Sequence, residues 1–431
     1  MTNPDSKDRT MRSQWLLKAY VLMTGAWLFD FQSEGAGQGL AIQSVFAICY
    51  AMGFLWFIVI DKGIHIKKNG AEILFYGIVG NYLFLSILSA IHHEQDSYQI
   101  SRLTFNILIY ALTAYTTSRV ISITPTGAVR AILGHLCFLY GISSALIILL
   151  FKGGVSIDTV RYEIQGTSSI AALAFGALIV SYKLKKIEVL AITAVIAVIF
   201  LTVTRSYILV AFTQIAIQYG VLRGRLRSKP IVQMGIIAIT LGVLLVAFGG
   251  DTYDRWIERL LVSKNYNGID PTLETRTSEI EFMLASFVEN SWNLAFGSGL
   301  ATQTTWFVPS EVGGGTGNSI GFGHNQHISI LFTAGIIGGL PLLLLQFYQG
   351  YKCIRLKQSL KLMNEFDADQ KLMLNFAILT IIGYLAINFL SSSFISRGFT
   401  LWYAIATGVY LSATIKLKNI RHRKYSKISI Q

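Results

Sequence analysis

Two histidines, His324 and His327, stand in the run GFGHNQHISI, just before the chain turns apolar at Ile328. An imidazole at the edge of a membrane span can take a proton from a hydroxyl near neutral pH. Either histidine could be such a base, and a polar role at the membrane interface competes for both. Four arginines, Arg161, Arg205, Arg276 and Arg397, form a second set. Arg205 interrupts the apolar run TVTRSYIL, where a charge is costly unless it is paired or functional. Guanidinium forks suit a diphosphate, and snorkelling toward lipid heads is the plainer alternative. Asp30 with Glu34, and His92, His93 and Glu94 with Asp96, could each hold a divalent ion, but neither cluster has a sharp ligand spacing and both are read as solvated loop residues. No phosphate-cradling glycine loop, dinucleotide fingerprint or serine-nucleophile elbow stands in a suitable context.

The elements that must carry these residues are membrane helices. The 431-residue chain is 53% hydrophobic and 14% charged, with a mean hydropathy of +0.53. Apolar runs of about 18 or more residues recur throughout, which predicts an all-α polytopic membrane protein. The polar start, MTNPDSKDRTMRSQW, has no cleavable signal pattern. Spans are expected at 14–31, 39–60, 72–91, 102–118, 131–151, 168–182, 187–203, 206–222, 231–249, 328–347, 373–391 and 398–415, about twelve crossings with both termini in the cytoplasm. In that topology the cytoplasmic segments hold 26 of the 36 Lys and Arg, the positive-inside bias of a bacterial inner membrane protein. The net charge of +13 is accounted for by that bias, so nucleic acid is excluded as a partner and membrane lipids are expected instead. Cys49, Cys137 and Cys353 lie too far apart for a disulfide framework or a zinc site.

Three regions follow: a transmembrane bundle over 1–249, a large periplasmic loop over 250–327, and C-terminal spans with a basic tail over 328–431. The loop carries nine acids against four bases. Asp270-Pro271 reads as a helix start. Ile280, Met283, Leu284, Phe287 and Val288 then recur at helical spacing, with Glu281 and Glu289 opposite, which predicts an amphipathic helix against the membrane surface. Arg276 falls on the apolar stripe of that helix. The tract holding Gly313, Gly314, Gly315, Gly317, Gly321 and Gly323 suits a flap over a site or a plain flexible loop.

In HNQHISILFTAGIIGG, His-Asn is followed by Ile328 four residues after the His, Gly335 at eleven and Gly338 at fourteen. This resembles the signature of the bacterial O-antigen ligase and surface-polysaccharide polymerase superfamily, in which His-Asn opens the span after the large periplasmic loop. TRTSEIEFMLASFVENSWNLAFGSGL resembles the family's arginine, helix and Gly-x-Gly segment, and TVTRSYILVAF its Thr/Ser-Arg element. The similarity covers roughly 155–345; Ile280 stands where the family often has an aromatic, and Ser168-Ser169 where Asn-Pro often follows RYEIQG. The resemblance implies a metal-independent, GT-C-like inverting glycosyltransferase without cofactor, working on the periplasmic face of the inner membrane. Its donor would be a glycan on undecaprenyl diphosphate. His324 would be the general base, with Asn325 and His327 as supporting residues, and Arg205, Arg276 and Arg161 would hold the diphosphate.

Two activities share that chemistry. A polymerase would pass the growing chain to the next lipid-linked repeat unit, with a chain-length regulator as a candidate partner. A ligase would pass the finished glycan to lipid A core. The breadth of sequence among polymerases favours the first, and the single large loop leans toward the second. A transporter or flippase is the third class, and it predicts an internal repeat or charged residues in mid-membrane. The polar residues there, Asn81, Asn106, His135 and Asn388, form no charge relay in the sequence pattern, and His135 reads as a satisfied interior histidine.

Overall fold

The computed structural model describes residues 4–29, 39–63, 69–151, 169–179, 183–190, 192–193, 205–222, 257, 271–308, 315–320, 324–361, 366–389 and 397–428. The described chain is mostly helical. In order it forms α1 (Pro4–Gly25), a 3-10 turn (Ala26–Phe29), α2 (Gly39–Asp61), α3 (Gly70–His92), α4 (Ser97–Ile123), α5 (Thr126–Phe151), α6 (Ser169–Ile179) and α7 (Arg205–Gly220). Then follow α8 (Pro271–Val288), α9 (Ser291–Phe296), strands β1 (Gln303–Val308) and β2 (Gly315–Ile320), and α10 (Gln326–Ala334). A π-helical turn (Gly335–Gly339), α11 (Leu340–Lys361), α12 (Ala368–Ile387) and α13 (Arg397–Ile428) complete it.

Among the described residues, four helices are long and apolar enough to cross a membrane: Ser44–Asp61, Gly70–His92, Gln326–Ser359 and Ala368–Ile387. They overlie four of the expected spans. The expected segment 231–249 lies outside the described residues, as does most of 187–203.

Between apolar helices the specific glue is polar, because lipid tails are as apolar as leucine and burial alone cannot choose a partner. Buried tyrosines supply it. The Tyr20 hydroxyl pairs with Thr117 at 3.0 Å, Tyr50 with Thr113 at 2.8 Å, and Tyr82 with Thr333 at 2.7 Å. One end of the bundle is fastened by ion pairs. Asp61, 0% exposed, accepts from Arg12 at 2.8 Å and from Arg119 at 2.9 and 3.0 Å, joining α1, α2 and α4. Arg130 joins α5 to Glu188 at 2.6 and 2.7 Å and to Asp369 of α12 at 2.6 Å. A buried carboxylate needs such partners, since an uncompensated charge there is strongly destabilising.

The opposite end holds the rest. There α3 ends at His92, and α12 ends beside the start of α10, where the Gln326 N–H donates to the Asn388 carbonyl at 2.8 Å. The stretch after α9 docks into this end. Its Ser298 and Gly299 N–H groups donate to the Phe332 and Thr333 carbonyls at 2.7 and 3.1 Å, and Leu300 N–H donates to Ser86 O at 3.1 Å. The helix can offer those carbonyls because α10 stops at Gly335, whose φ of +66° breaks the ladder. The contact is backbone against backbone. A Cβ at Gly335 would lie 2.3 Å from the Ala295 oxygen, and one at Gly297 (φ +83°) 2.4 Å from the Ala334 nitrogen.

The described residues are consistent with an all-α membrane protein, and they add one element the sequence pattern did not predict: β1 and β2 form an antiparallel hairpin that pairs Thr305 with Asn318. Thr304 points inward and Phe307 outward, the alternation of a one-sided strand. One expectation needs correction. His135 is not interior; it lies exposed on α5 and its Nδ1 meets the Ala131 carbonyl of its own helix.

Candidate active site

The local sequence explains where His324 stands. Asn325 is the N-cap of α10, and its side-chain oxygen accepts the Ile328 N–H at 3.2 Å. His324 is thereby held one residue outside the helix, at the mouth of the bundle, with its side chain 45% exposed. His327 falls one turn further in and is buried. Its Nε2 meets the Leu385 carbonyl at 3.2 Å, and its ring packs on Phe389 and Phe347 at 4.4 and 5.3 Å between centroids. The two histidines do not share an environment.

The partner of His324 is Glu279 on α8. Glu279 Oε2 accepts the His324 backbone N–H at 2.7 Å and lies 2.9 Å from its Nδ1; Oε1 accepts the Thr304 hydroxyl at 3.2 Å. The carboxylate is 0% exposed, whereas the imidazole reaches solvent. A buried, fully engaged carboxylate fixes the ring and favours the tautomer with its proton on Nδ1. Proton exchange then falls to Nε2. Such a pair can serve as a base and its orienter in general-base chemistry.

Pattern reading missed Glu279 because it assigned α8 by hydropathy. The expected stripe is split in the structure: Met283 is buried, Ile280 and Phe287 are half-buried, and Leu284 and Val288 are exposed. The inward face is set instead by Glu279 and Met283, four residues apart and both fully buried. The available signal was Arg276, which stands three residues before Glu279 and so shares its helix face.

Arg276 is half-buried on α8, one turn from the Glu279–His324 pair. Arg205 is the first residue of α7. That helix runs toward the Asp61 end, where the Leu222 carbonyl accepts from Lys357 at 3.1 Å, so Arg205 begins at the His324 end, roughly 25 Å away along the axis. Arg397 opens α13 at the same end. Arg161, Asp30 and Glu34 lie outside the described residues, as do Asp270 and much of the glycine tract; Gly315 and Gly317 are in β2.

The other acidic cluster is spread among separate partners. Asp96 caps α4 through the Gln99 N–H at 3.0 Å, His93 Nε2 meets Asn293 Oδ1 at 3.0 Å, and His92 stacks on Trp292 at 4.1 Å. Among the described residues no group of three or more His, Cys, Asp or Glu side chains comes together.

No family model matches the chain, and no curated protein matches it.

Proposed function

We propose that the chain is an inner-membrane glycosyltransferase that extends a bacterial surface polysaccharide from a glycan carried on undecaprenyl diphosphate. One observation carries the reading: a half-exposed His324 held through Nδ1 by the buried Glu279, with Arg276 one turn away on the same helix. The basic residues of the Asp61 end, among them Lys62, Arg119, Arg130 and Lys416, support a cytoplasmic side there, which turns His324 toward the periplasm. Exposed Leu273, Leu284 and Val288 on α8 suit contact with the membrane surface near a lipid donor.

The step is a single displacement. Nε2 of His324 takes the proton of the acceptor hydroxyl as its oxygen forms a bond to the anomeric carbon. The bond from that carbon to the diphosphate oxygen breaks, and the diphosphate leaves with the electron pair. Arg276 and Arg205, with Arg161 as a further candidate, neutralise that charge. Attack opposite the leaving group inverts the anomeric centre, so linkage analysis showing retention would overturn the mechanism.

A polymerase is the first reading, and a ligase acting on lipid A core has the same donor and the same machinery. The test is to separate the glycan on core from the glycan on carrier lipid in cells whose only copy is His324→Ala. Core bearing a single repeat unit and no long chains in either pool identifies a polymerase. Long chains stranded on the carrier with bare core identify a ligase. An unchanged profile, with the variant present in the membrane, removes the enzyme reading and leaves a transporter.

A further inference from the structure

A cavity of about 570 Å³ lies beside the candidate active site, between the α3–α4 turn and the segment from the end of α8 to β1. Neither His324 nor Glu279 lines it. Ser286, on its wall, is seven residues beyond Glu279 on α8, about 10 Å along the axis. The cavity therefore stands within reach of a short oligosaccharide whose end is at His324.

Its chemistry is specific. The described lining residues are chiefly carboxamides, hydroxyls and two carboxylates, Asp96 and Glu289, with one imidazole, His93, and no Lys or Arg. The wall is preorganised by Gln95, whose Nε2 donates to the Ser298 carbonyl at 2.6 Å and whose Oε1 accepts the Ala301 N–H at 2.8 Å. Two polar atoms remain unused on that wall. Ser298 is 7% exposed and its Oγ has no hydrogen-bond partner, and neither has the Oε1 of Gln99. Both atoms are shielded from solvent, so the binding surface is supplied by the other polar groups of the lining.

A diphosphate would meet two carboxylates and no Lys or Arg, and the one imidazole, His93, is engaged through Nε2 with Asn293 Oδ1. An acyl chain would strand the amides. A polyhydroxylated ring satisfies them, with its hydroxyls on the carboxamides and hydroxyls of the wall. We propose that this cavity is a saccharide subsite that takes an uncharged or amino-bearing sugar of the glycan and rejects acidic sugars. The proposal rests on the glycosyltransferase reading and adds where, and with what charge preference, the glycan is held.

The test uses the full-length protein in lipid nanodiscs. The probe is the reducing oligosaccharide released by mild acid from the carrier lipid of the source cells, with binding followed by titration calorimetry. Wild type and His324→Ala are expected to bind alike, and Gln99→Ala and Glu289→Gln about tenfold more weakly, as for one lost hydrogen bond. Gln99→Arg is expected to gain binding of a uronic-acid oligosaccharide, which a merely misfolded variant cannot do. Inhibition of transfer that is competitive with acceptor assigns the subsite to the acceptor glycan, and inhibition competitive with donor assigns it to the donor. No binding by wild type, or equal binding by wild type and all three Gln99 and Glu289 variants, overturns the subsite while leaving the role of His324 standing. Loss of the enzyme reading is read separately, from an unchanged glycan profile in His324→Ala cells.

Discussion

Glu279 and His324 are joined twice: one carboxylate oxygen accepts the His324 backbone N–H at 2.7 Å and faces its Nδ1 at 2.9 Å. The first contact fixes where the residue stands, and the second fixes how its ring is turned. Glu279→Gln keeps the size and can still accept at one oxygen, but it cannot balance the imidazolium that the proposed proton transfer would form. Turnover is expected to fall roughly 10- to 100-fold with KM little changed. A loss confined to thermal stability, with turnover intact, would make Glu279 structural only.

Arg205→Lys preserves charge and loses the planar fork. Where two diphosphate oxygens must be held at once, that substitution behaves like a deletion. Transfer by Arg205→Lys is expected to fall about as far as by Arg205→Ala, on the order of 100-fold. Near-normal transfer by the lysine variant would remove the diphosphate role from that position.

Asp61 serves the fold and stands at the end away from His324. Asp61→Ala leaves Arg119, only 12% exposed, without its carboxylate. The expected loss is about 3 kcal/mol of stability, seen as a lower melting temperature in detergent. Protein that remains folded should transfer at the wild-type rate per molecule. An unchanged melting temperature would show that the ion triad contributes nothing.

Hydropathy carried the membrane helices because the 3.6-residue period and the length of an apolar run are properties of the sequence itself. The start of α10 was legible for a similar reason, since the chain turns apolar at Ile328, but the cap that Asn325 provides was not read from the sequence. Glu279 was not. A carboxylate on the packed face of α8 looks, one residue at a time, like any polar residue on an amphipathic helix; only the fold brings residue 324 back to it. The hairpin was hidden because β2, GTGNSI, has too little strand character to declare itself without its partner QTTWFV. The backbone docking of Gly297 onto the break at Gly335 was equally hidden, because it joins two glycines distant in sequence.

The most direct test of the central claim is transfer by purified protein in lipid nanodiscs, supplied with radiolabelled undecaprenyl-diphosphate glycan and an acceptor glycan. Wild type should release undecaprenyl diphosphate in step with acceptor elongation, and His324→Ala should do so at least about 100-fold more slowly while remaining folded in the nanodisc. Release by His324→Ala at the wild-type rate would contradict the assignment of the base, and with it the mechanism.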